Sequence, residues 1–540
     1  MIPIACEGIR AALASDVKLS RRNVLKGALA LAGLKALGCA APFDDDPAVS
    51  WGDGKADGGS CAPSATSWEL ARQKITSVVV LCMENRSFDH YLGSLSLPGS
   101  AGGLGVAGID GLRGGESNRS LAGGAITSHE FGPRPSHNLP HEWAEMHAMF
   151  RGGAMDGFVR AAEAAARANV EALQKNIDPA QRVDADELAA LMASETMGYY
   201  TSEHLPTMYA LARQAALCER WHSSIMGPTW PNRFYLHGGD AKGMQQNKPI
   251  GSDWESILDV VHESGLESKN FYHDIAWLRA ANPSAHREAR NIFEDMVSSQ
   301  DSQKPTGFFA RARANTLPAL SIIDPHFGIF NPQDANDDHP DAGGGEGHDV
   351  RMGQALISSV VAAIASNRDQ WNRTLLIITY DESGGFYDHV APPTTFDRRS
   401  EFGQLGFRVP AMLVGPHVRR GCSIKTTFEH TSILSSVIRL FGTGWFENQD
   451  ANARLRAGND LLECLDADAL EGTPHAPPTL PPVKLSVSAW RGRPMASRHA
   501  ELGAVARRLP EIDRIKAADR GILERVLAEG ERLGALRMVR

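Results

Sequence analysis

The clearest pattern in the chain is a continuous apolar run that stops at an acid. Val78-Val79-Val80-Leu81-Cys82-Met83 is rich in β-branched side chains, and Glu84-Asn85 follow at once. Such a run predicts a strand buried on both faces of a mostly parallel sheet. Thr374-Leu375-Leu376-Ile377-Ile378-Thr379-Tyr380 repeats the design and ends in Asp381-Glu382, with Ser383-Gly384-Gly385 behind it. Leu320-Ser321-Ile322-Ile323-Asp324-Pro325 and Pro410-Ala411-Met412-Leu413-Val414-Gly415 read as further strands. Helices are predicted over Val159 to Ala168, Ala185 to Ser194 and Val350 to Ser366. Another opens at Glu429-His430-Thr431-Ser432 and runs through Leu440, with a Thr or Ser capping its first turn. The helices between about 150 and 205 form an insertion that caps the molecule's main crevice. Gly102 to Gly124 is a Gly-rich loop region. Beyond about residue 470 the chain is Pro-rich, then mildly basic and amphipathic from His499 to Arg540, which predicts a packed or solvent-facing helix pair. No internal repeat is present.

The chemistry sits where the strands stop. In open α/β sheets ligands lie outside the carboxyl ends of the strands. Glu84, Asn85, Asp381 and Glu382 would present hard oxygen atoms there, the donors that divalent cations prefer. Adjacent carboxylates repel unless a cation or proton lies between them. A third segment, Met226-Gly227-Pro228-Thr229-Trp230-Pro231-Asn232-Arg233, is a turn-rich loop holding a hydroxyl, an amide and a guanidinium. Arg and Asn suit phosphate oxygens. A hydroxyl beside a metal loses its proton more easily and becomes a nucleophile. The chain has 19 histidines, so only those inside such segments are candidates.

These segments resemble the bacterial phosphoesterase family that holds phospholipases C and a branch of acid phosphatases. The resemblance is carried by Glu84-Asn85-Arg86-Ser87-Phe88-Asp89-His90, Thr229-Trp230-Pro231-Asn232-Arg233, Asp338-His339-Pro340 and Tyr380-Asp381-Glu382-Ser383-Gly384-Gly385-Phe386-Tyr387-Asp388-His389, in the family's order over roughly 75 to 445. It implies an α/β, alkaline-phosphatase-like fold: a central mixed sheet sandwiched by helices, with a helical cap insertion. It implies one divalent metal ion held by Glu84, Asn85, Asp381 and the nucleophile Thr229, with Glu382 beside it. Magnesium, calcium, manganese, iron and zinc all remain open. Asn232 is placed to hold a phosphate oxygen, and His339 and His141 match phosphate-binding histidines. The family often has an Asp a few residues before the latter; here Asn138 occupies that place, and His137 is a rival for the role. His273 matches a position of the phosphatase branch. His389 is read as orienting the acidic turn, and His90 as bracing the first motif.

Length and composition fit that reading. The chain has 540 residues, 42% hydrophobic and 22% charged, ordinary for a globular protein able to bury a large core. Its formal net charge of −9 leaves no basic footprint for nucleic acid. Ser20-Arg21-Arg22-Asn23-Val24-Leu25-Lys26 resembles a twin-arginine export signal, followed by a short apolar stretch from Ala28 to Gly38 that Lys35 interrupts. That stretch is too short to span a membrane. Two processing sites are open: lipidation at Cys39 in Ala36-Leu37-Gly38-Cys39, or cleavage near Ala40-Ala41. The expected organisation is an export signal over 1–41, a flexible acidic and Gly-rich tether over 42–70, a catalytic domain over 71–470 and the C-terminal segment over 471–540. The destination is the periplasm, the exterior or a lipid anchor at the cell envelope. Of seven cysteines, Cys82 falls in a core strand and is expected to be a buried free thiol. An oxidising compartment permits a disulfide among the others, which the sequence does not assign.

The function expected is a metal-dependent phosphoric ester hydrolase acting through a phosphothreonine. Phospholipase C, cleaving phospholipid to diacylglycerol and a phosphorylated headgroup, comes first. An acid phosphatase on monoesters is the second reading, and a non-catalytic surface lipoprotein of the same fold the third.

Overall fold

The computed structural model describes residues 61, 65–131, 136–174, 182–250, 253–282, 284–297, 306–340, 350–486, 499–510, 512–519 and 521–539. The expected export signal, Cys39 and most of the tether lie outside them. The centre is an eight-stranded sheet flanked by helices. Its strands are β1 (Ser77–Met83), β2 (Ala216–Cys218), β3 (Ser268–Tyr272), β4 (Phe293–Asp295), β5 (Leu320–Asp324), β6 (Thr374–Tyr380), β7 (Ala411–Val414) and β8 (Cys422–Ile424). They lie in the order β8-β2-β7-β6-β1-β5-β3-β4. Only β7 runs against the rest, so the sheet is mixed but dominantly parallel.

The strongest apolar runs take the middle. β1 lies between β6 and β5, with Val78 opposite Leu375 on one side and Leu320 on the other. Every residue of β1 and β6 is buried, which is why neither sequence alternates. The register Met83↔Tyr380 brings both strands to an end at the same level. That single pairing puts Glu84 and Asp381 side by side.

Among the described residues, the stretch from about 150 to 205 contains helices where its sequence predicts them. Its helices Phe158–Ala168 and Ala185–Thr196 pack on each other, and Asp184 caps the second by accepting from the amides of Asp186 and Glu187. Ala162, Ala166, Leu188, Ala189 and Met192 share a cluster with Leu139 and Phe386. Those last two residues flank, respectively, His141 and the Gly384-Gly385 turn, so the insertion rests on the loops of the crevice.

Two expectations need correction. The helix His430–Phe441 is capped by Glu429 rather than by Thr or Ser; its carboxylate accepts from the Thr431 amide and also takes Arg454. Among its described residues the C-terminal segment holds three short helices, Ala500–Ala506, Ile512–Asp519 and Ile522–Arg532, not a pair. It closes with the strand Leu536–Met538, parallel to Val483–Leu485. Leu523, Leu527 and Leu536 are buried against Met352 and Ala355, so the segment is packed. Among the described residues no helix is long and apolar enough to cross a membrane. Cys61 and Cys422 form a disulfide, and Cys82 is a buried free thiol as expected.

Candidate active site

The parallel ladder carries one residue past the strands. The Asp381 amide donates to Met83 O at 3.0 Å, so the acids leave the sheet together. Asn85 then takes a left-handed conformation, φ 56°, which Asn tolerates better than most side chains. Its amide donates to Asp381 Oδ1 at 3.0 Å, and Glu382 N donates to the same oxygen at 2.8 Å. Gly384 and Gly385 are demanded by approach as well as by positive φ. A Cβ on Gly384 would lie 2.2 Å from Asn85 O, and one on Gly385 2.4 Å from Pro140 O. Only glycine lets the two acidic turns and the loop of His141 close to this distance.

Thr229 opens the helix Thr229–Gly238 and is buried. Its Oγ1 lies 3.2 Å from Glu84 Oε2 and 3.3 Å from Asn85 Oδ1, positioned to donate to either. The helix N-terminus brings its positive dipole end to the same place. Asn232 builds this turn. Its Oδ1 accepts from the Ile225 amide at 3.1 Å, while its Nδ2 donates to Gly227 O and Pro228 O at 2.8 and 3.1 Å. Both ends of the Asn232 amide are therefore engaged with the loop backbone, which corrects the expectation that it holds a phosphate oxygen. Arg233 is corrected likewise. It is fully buried, paired with Glu84 and with Asp324 Oδ1 at 3.2 Å, so it balances acids rather than clamping phosphate.

Two histidines face the acids. His141 Nδ1 bonds to Leu139 O at 2.7 Å, and its Nε2 lies 3.5 Å from Asn85 Nδ2 and 3.8 Å from Glu382 Oε1. His339 Nδ1 bonds to Pro340 O at 2.7 Å, and its ring meets His141 edge-on at 6.3 Å. A backbone acceptor at Nδ1 fixes the tautomer and aims each ring. Burial first, and the neighbouring His499 next, hold His339 well below the ordinary imidazole range. The rival His137 is turned to the insertion instead: its ring and amide both bond to Glu195 Oε2. His273 bonds to Asp324 O at 3.0 Å and neighbours His326. Its link to the acids runs through Asp324 and Arg233, and burial lowers it to about 3.

The acids outnumber their counter-charge. Glu84, Asp381 and Glu382 are fully buried beside the single guanidinium of Arg233. Asp381 Oδ2 and Glu382 Oε1 are buried without a hydrogen-bond partner in the protein. Burial pushes Glu84 well up, against Arg233, with Asp381 adding to the rise; burial and the Asp381 charge do the same to Glu382. These carboxylates, Asn85 Oδ1 and Thr229 Oγ1 are all oxygen donors, the kind a divalent cation takes.

A second acidic cluster lies a few residues on in the same two motifs. Asp89, Asp388 and His389 have ligand atoms within 4.8 Å of one another. Here Arg408 closes the charge, donating to Asp89 Oδ1 at 3.0 Å and Asp388 Oδ1 at 2.9 Å. His389 bonds to Asp89 Oδ2 at 2.6 Å and to Asp110 Oδ1 at 3.2 Å. Burial opposes its imidazolium, but Asp89 and Asp110 outweigh it and raise the group to about 10. This cluster ties the motifs together. His90 does so too, stacked on Phe386 at 3.7 Å and bonded to Gly198 O at 2.7 Å.

Sequence reasoning missed three buried partners. Asp324 was visible as the acid closing a third apolar strand. Asp337 sits two residues before His339; its carbonyl accepts from the Glu84 amide at 2.8 Å. His499 comes from the tail, and nothing in its local sequence marks it.

An acid-rich crevice with a buried hydroxyl at a helix N-terminus and two aimed histidines, at the carboxyl ends of a parallel sheet, is built for hydrolysis of anionic esters. Residues 75–444 match the Phosphoesterase family, and the chain belongs to it. It is a hydrolase of phosphoester bonds. Among its relatives, non-specific phospholipase C6 of Arabidopsis thaliana is 30% identical over 401 residues, covering 68% of each chain. Phospholipase C A of Mycobacterium tuberculosis is 28% identical over 418 residues, covering 68% of this chain and 73% of that one. A solved protein in the alkaline phosphatase superfamily from Vibrio parahaemolyticus aligns over 45% of this chain and 61% of that chain, at 10% identity and a TM-score of 0.27.

Proposed function

We propose that this protein is a metal-dependent phospholipase C that works through a covalent phosphothreonine at Thr229. The observation that carries the proposal is the position of Thr229 Oγ1. It lies beside Glu84 and Asn85, in a site where Asp381 Oδ2 and Glu382 Oε1 have no hydrogen-bond partner in the protein. Glu84, Asn85, Asp381, Glu382 and Thr229 would hold one divalent cation. When bound, the ion supplies positive charge beside the nucleophile and the phosphoryl oxygens. Thr229 Oγ1 attacks phosphorus in line, and its proton has an acceptor 3.2 Å away in Glu84 Oε2. His141 and His339 border the phosphoryl group, and the departing alcohol takes up one proton as it leaves, balancing the one that Thr229 gives to Glu84. For a phospholipid that alcohol is diacylglycerol. Water then releases the phosphorylated headgroup from Thr229.

The charge balance favours a diester over a monoester. Arg233 is already committed to Glu84 and Asp324. Burial and the neighbouring His499 disfavour the charged form of His339, so it adds little positive charge for a dianion. The naming of the relatives as phospholipases C supports the same choice. The twin-arginine-like segment supports export, and the Cys61–Cys422 disulfide suits an oxidising destination. Lipidation of Cys39 would hold the site near a membrane surface; the mass of the mature N-terminus distinguishes this from cleavage near Ala40-Ala41.

The test compares purified mature protein on phosphatidylcholine and on a simple phosphomonoester, with and without chelator. Diacylglycerol release that chelator abolishes is the expected result. Activity on the monoester alone would move the protein to the acid phosphatase reading. Inactivity on both, with metal bound, would leave a fold kept for binding.

A further inference from the structure

We propose that the C-terminal segment supports the active site through a single residue, with His499 acting as a positioning residue for His339 through Asp337. This rests on the phosphoester-hydrolysing role of His339 proposed above. The segment lies outside residues 75–444 that match the family, so no family motif assigns the role.

Asp337 is the hub. It is fully buried. Its carbonyl accepts from the Glu84 amide at 2.8 Å, and its Oδ1 accepts from the His339 amide at 3.0 Å. The remaining oxygen, Oδ2, accepts from His499 Nε2 at 2.8 Å. One residue thus joins the backbone of Glu84 through its carbonyl, and His339 and the tail through its carboxylate. The ring of His499 also meets the ring of His339 edge-on at 4.7 Å, and Phe327 at 5.2 Å. His339 is therefore held from two directions: its backbone by Asp337, its ring by His499. Without His499, Asp337 Oδ2 would be left buried with one fewer donor, and the His339 ring would lose one wall. Both changes let the ring move, and misplacing a catalytic group by an ångström costs up to about 10²-fold in rate.

The tail is anchored independently of this contact. Asp519 accepts from His326 Nε2 and from Asn331 Nδ2, both at 2.9 Å. Arg313 donates to Glu529 at 2.7 Å. Leu502, Ile522 and Val526 are buried in the main core. Losing His499 alone should leave the tail docked, which separates positioning from folding.

The experiment measures kcat, KM and thermal unfolding on a chromogenic nitrophenyl phosphodiester for the full mature chain and its His499→Ala, His499→Gln and Glu529→Gln variants. The expected result is a fall in kcat of about tenfold for His499→Ala, with KM held within about twofold. His499→Gln, whose amide can donate to the same Oδ2, should recover to within about threefold. Glu529→Gln should leave kcat unchanged. Wild-type kcat in His499→Ala would overturn the proposal. So would a Gln variant as impaired as Ala, or losses in kcat that track losses in Tm across the series. Thr229→Ala run alongside separates the two readings. A Thr229-dependent wild type with an unaffected His499→Ala refutes this inference alone, whereas a wild type inactive on the ester refutes the phosphoesterase role of the site as well.

Discussion

Two acidic clusters in this protein are built from the same two motifs and meet opposite ends. The first holds Glu84, Asp381 and Glu382; the second, reached by reading on to the end of each motif, holds Asp89, Asp388 and His389. In the second, each acid finds a cation: Arg408 spans Asp89 and Asp388, and His389 sits between Asp89 and Asp110. In the first, one buried arginine faces three carboxylates, and two oxygens have no hydrogen-bond partner. Proximity of acids is greater in the cluster that is already neutralised. What separates the two clusters is thus the uncompensated charge, not the gathering of ligands. The closed cluster holds the open one in shape, since both turns run from one to the other.

The largest effect expected is on turnover. Thr229→Ala removes the proposed nucleophile from the open cluster and should lower kcat by about 10³-fold or more, while Tm stays within a few degrees. A folded Thr229→Ala protein with full activity would remove Thr229 from the mechanism. The converse substitution breaks the closed cluster. Arg408→Met strands Asp89 and Asp388 in the interior, and unpairing such buried charges costs about 3–5 kcal/mol. Denaturant unfolding should show that loss; an unchanged midpoint would mean the cluster does not brace the fold.

Much of this contrast was legible in the sequence, and the reason is local. β1 and β6 announce themselves by unbroken apolar runs, and their terminal acids follow in the next residue. The glycines after Glu382 mark a turn that the structure shows to be packed against Asn85 and Pro140. What stayed hidden depends on contacts across long separations. Arg233 looks like a phosphate ligand until Glu84 and Asp324 are seen to claim it, and Asn232 until its amide is seen to close its own loop. His499 and Arg408 lie far along the chain from the residues they serve, and no spacing rule joins them. His137 and His141 were separable only by orientation, since Glu195 of the insertion captures the first.

A smaller effect concerns pH. In the folded protein, against burial, Asp89 and Asp110 push His389 up to about 10 from its ordinary value of 6.5. A raised pKa contributes stability that is complete below the unfolded value and disappears as pH rises through the folded one. Between about pH 6.5 and pH 10 the wild type should therefore lose Tm, and His389→Gln should show a shallower slope over the same window. Parallel slopes would mean that the imidazolium of His389 does not support the closed cluster.

The most direct test of the account asks which cluster takes the metal. The measurement is metal content per folded chain for wild type, Asp381→Asn and Asp89→Asn after equilibration with divalent cation and removal of excess. The account predicts one bound ion in the wild type, retained in Asp89→Asn and lost in Asp381→Asn. An ion retained in Asp381→Asn and lost in Asp89→Asn would contradict it, placing the metal in the cluster that Arg408 closes.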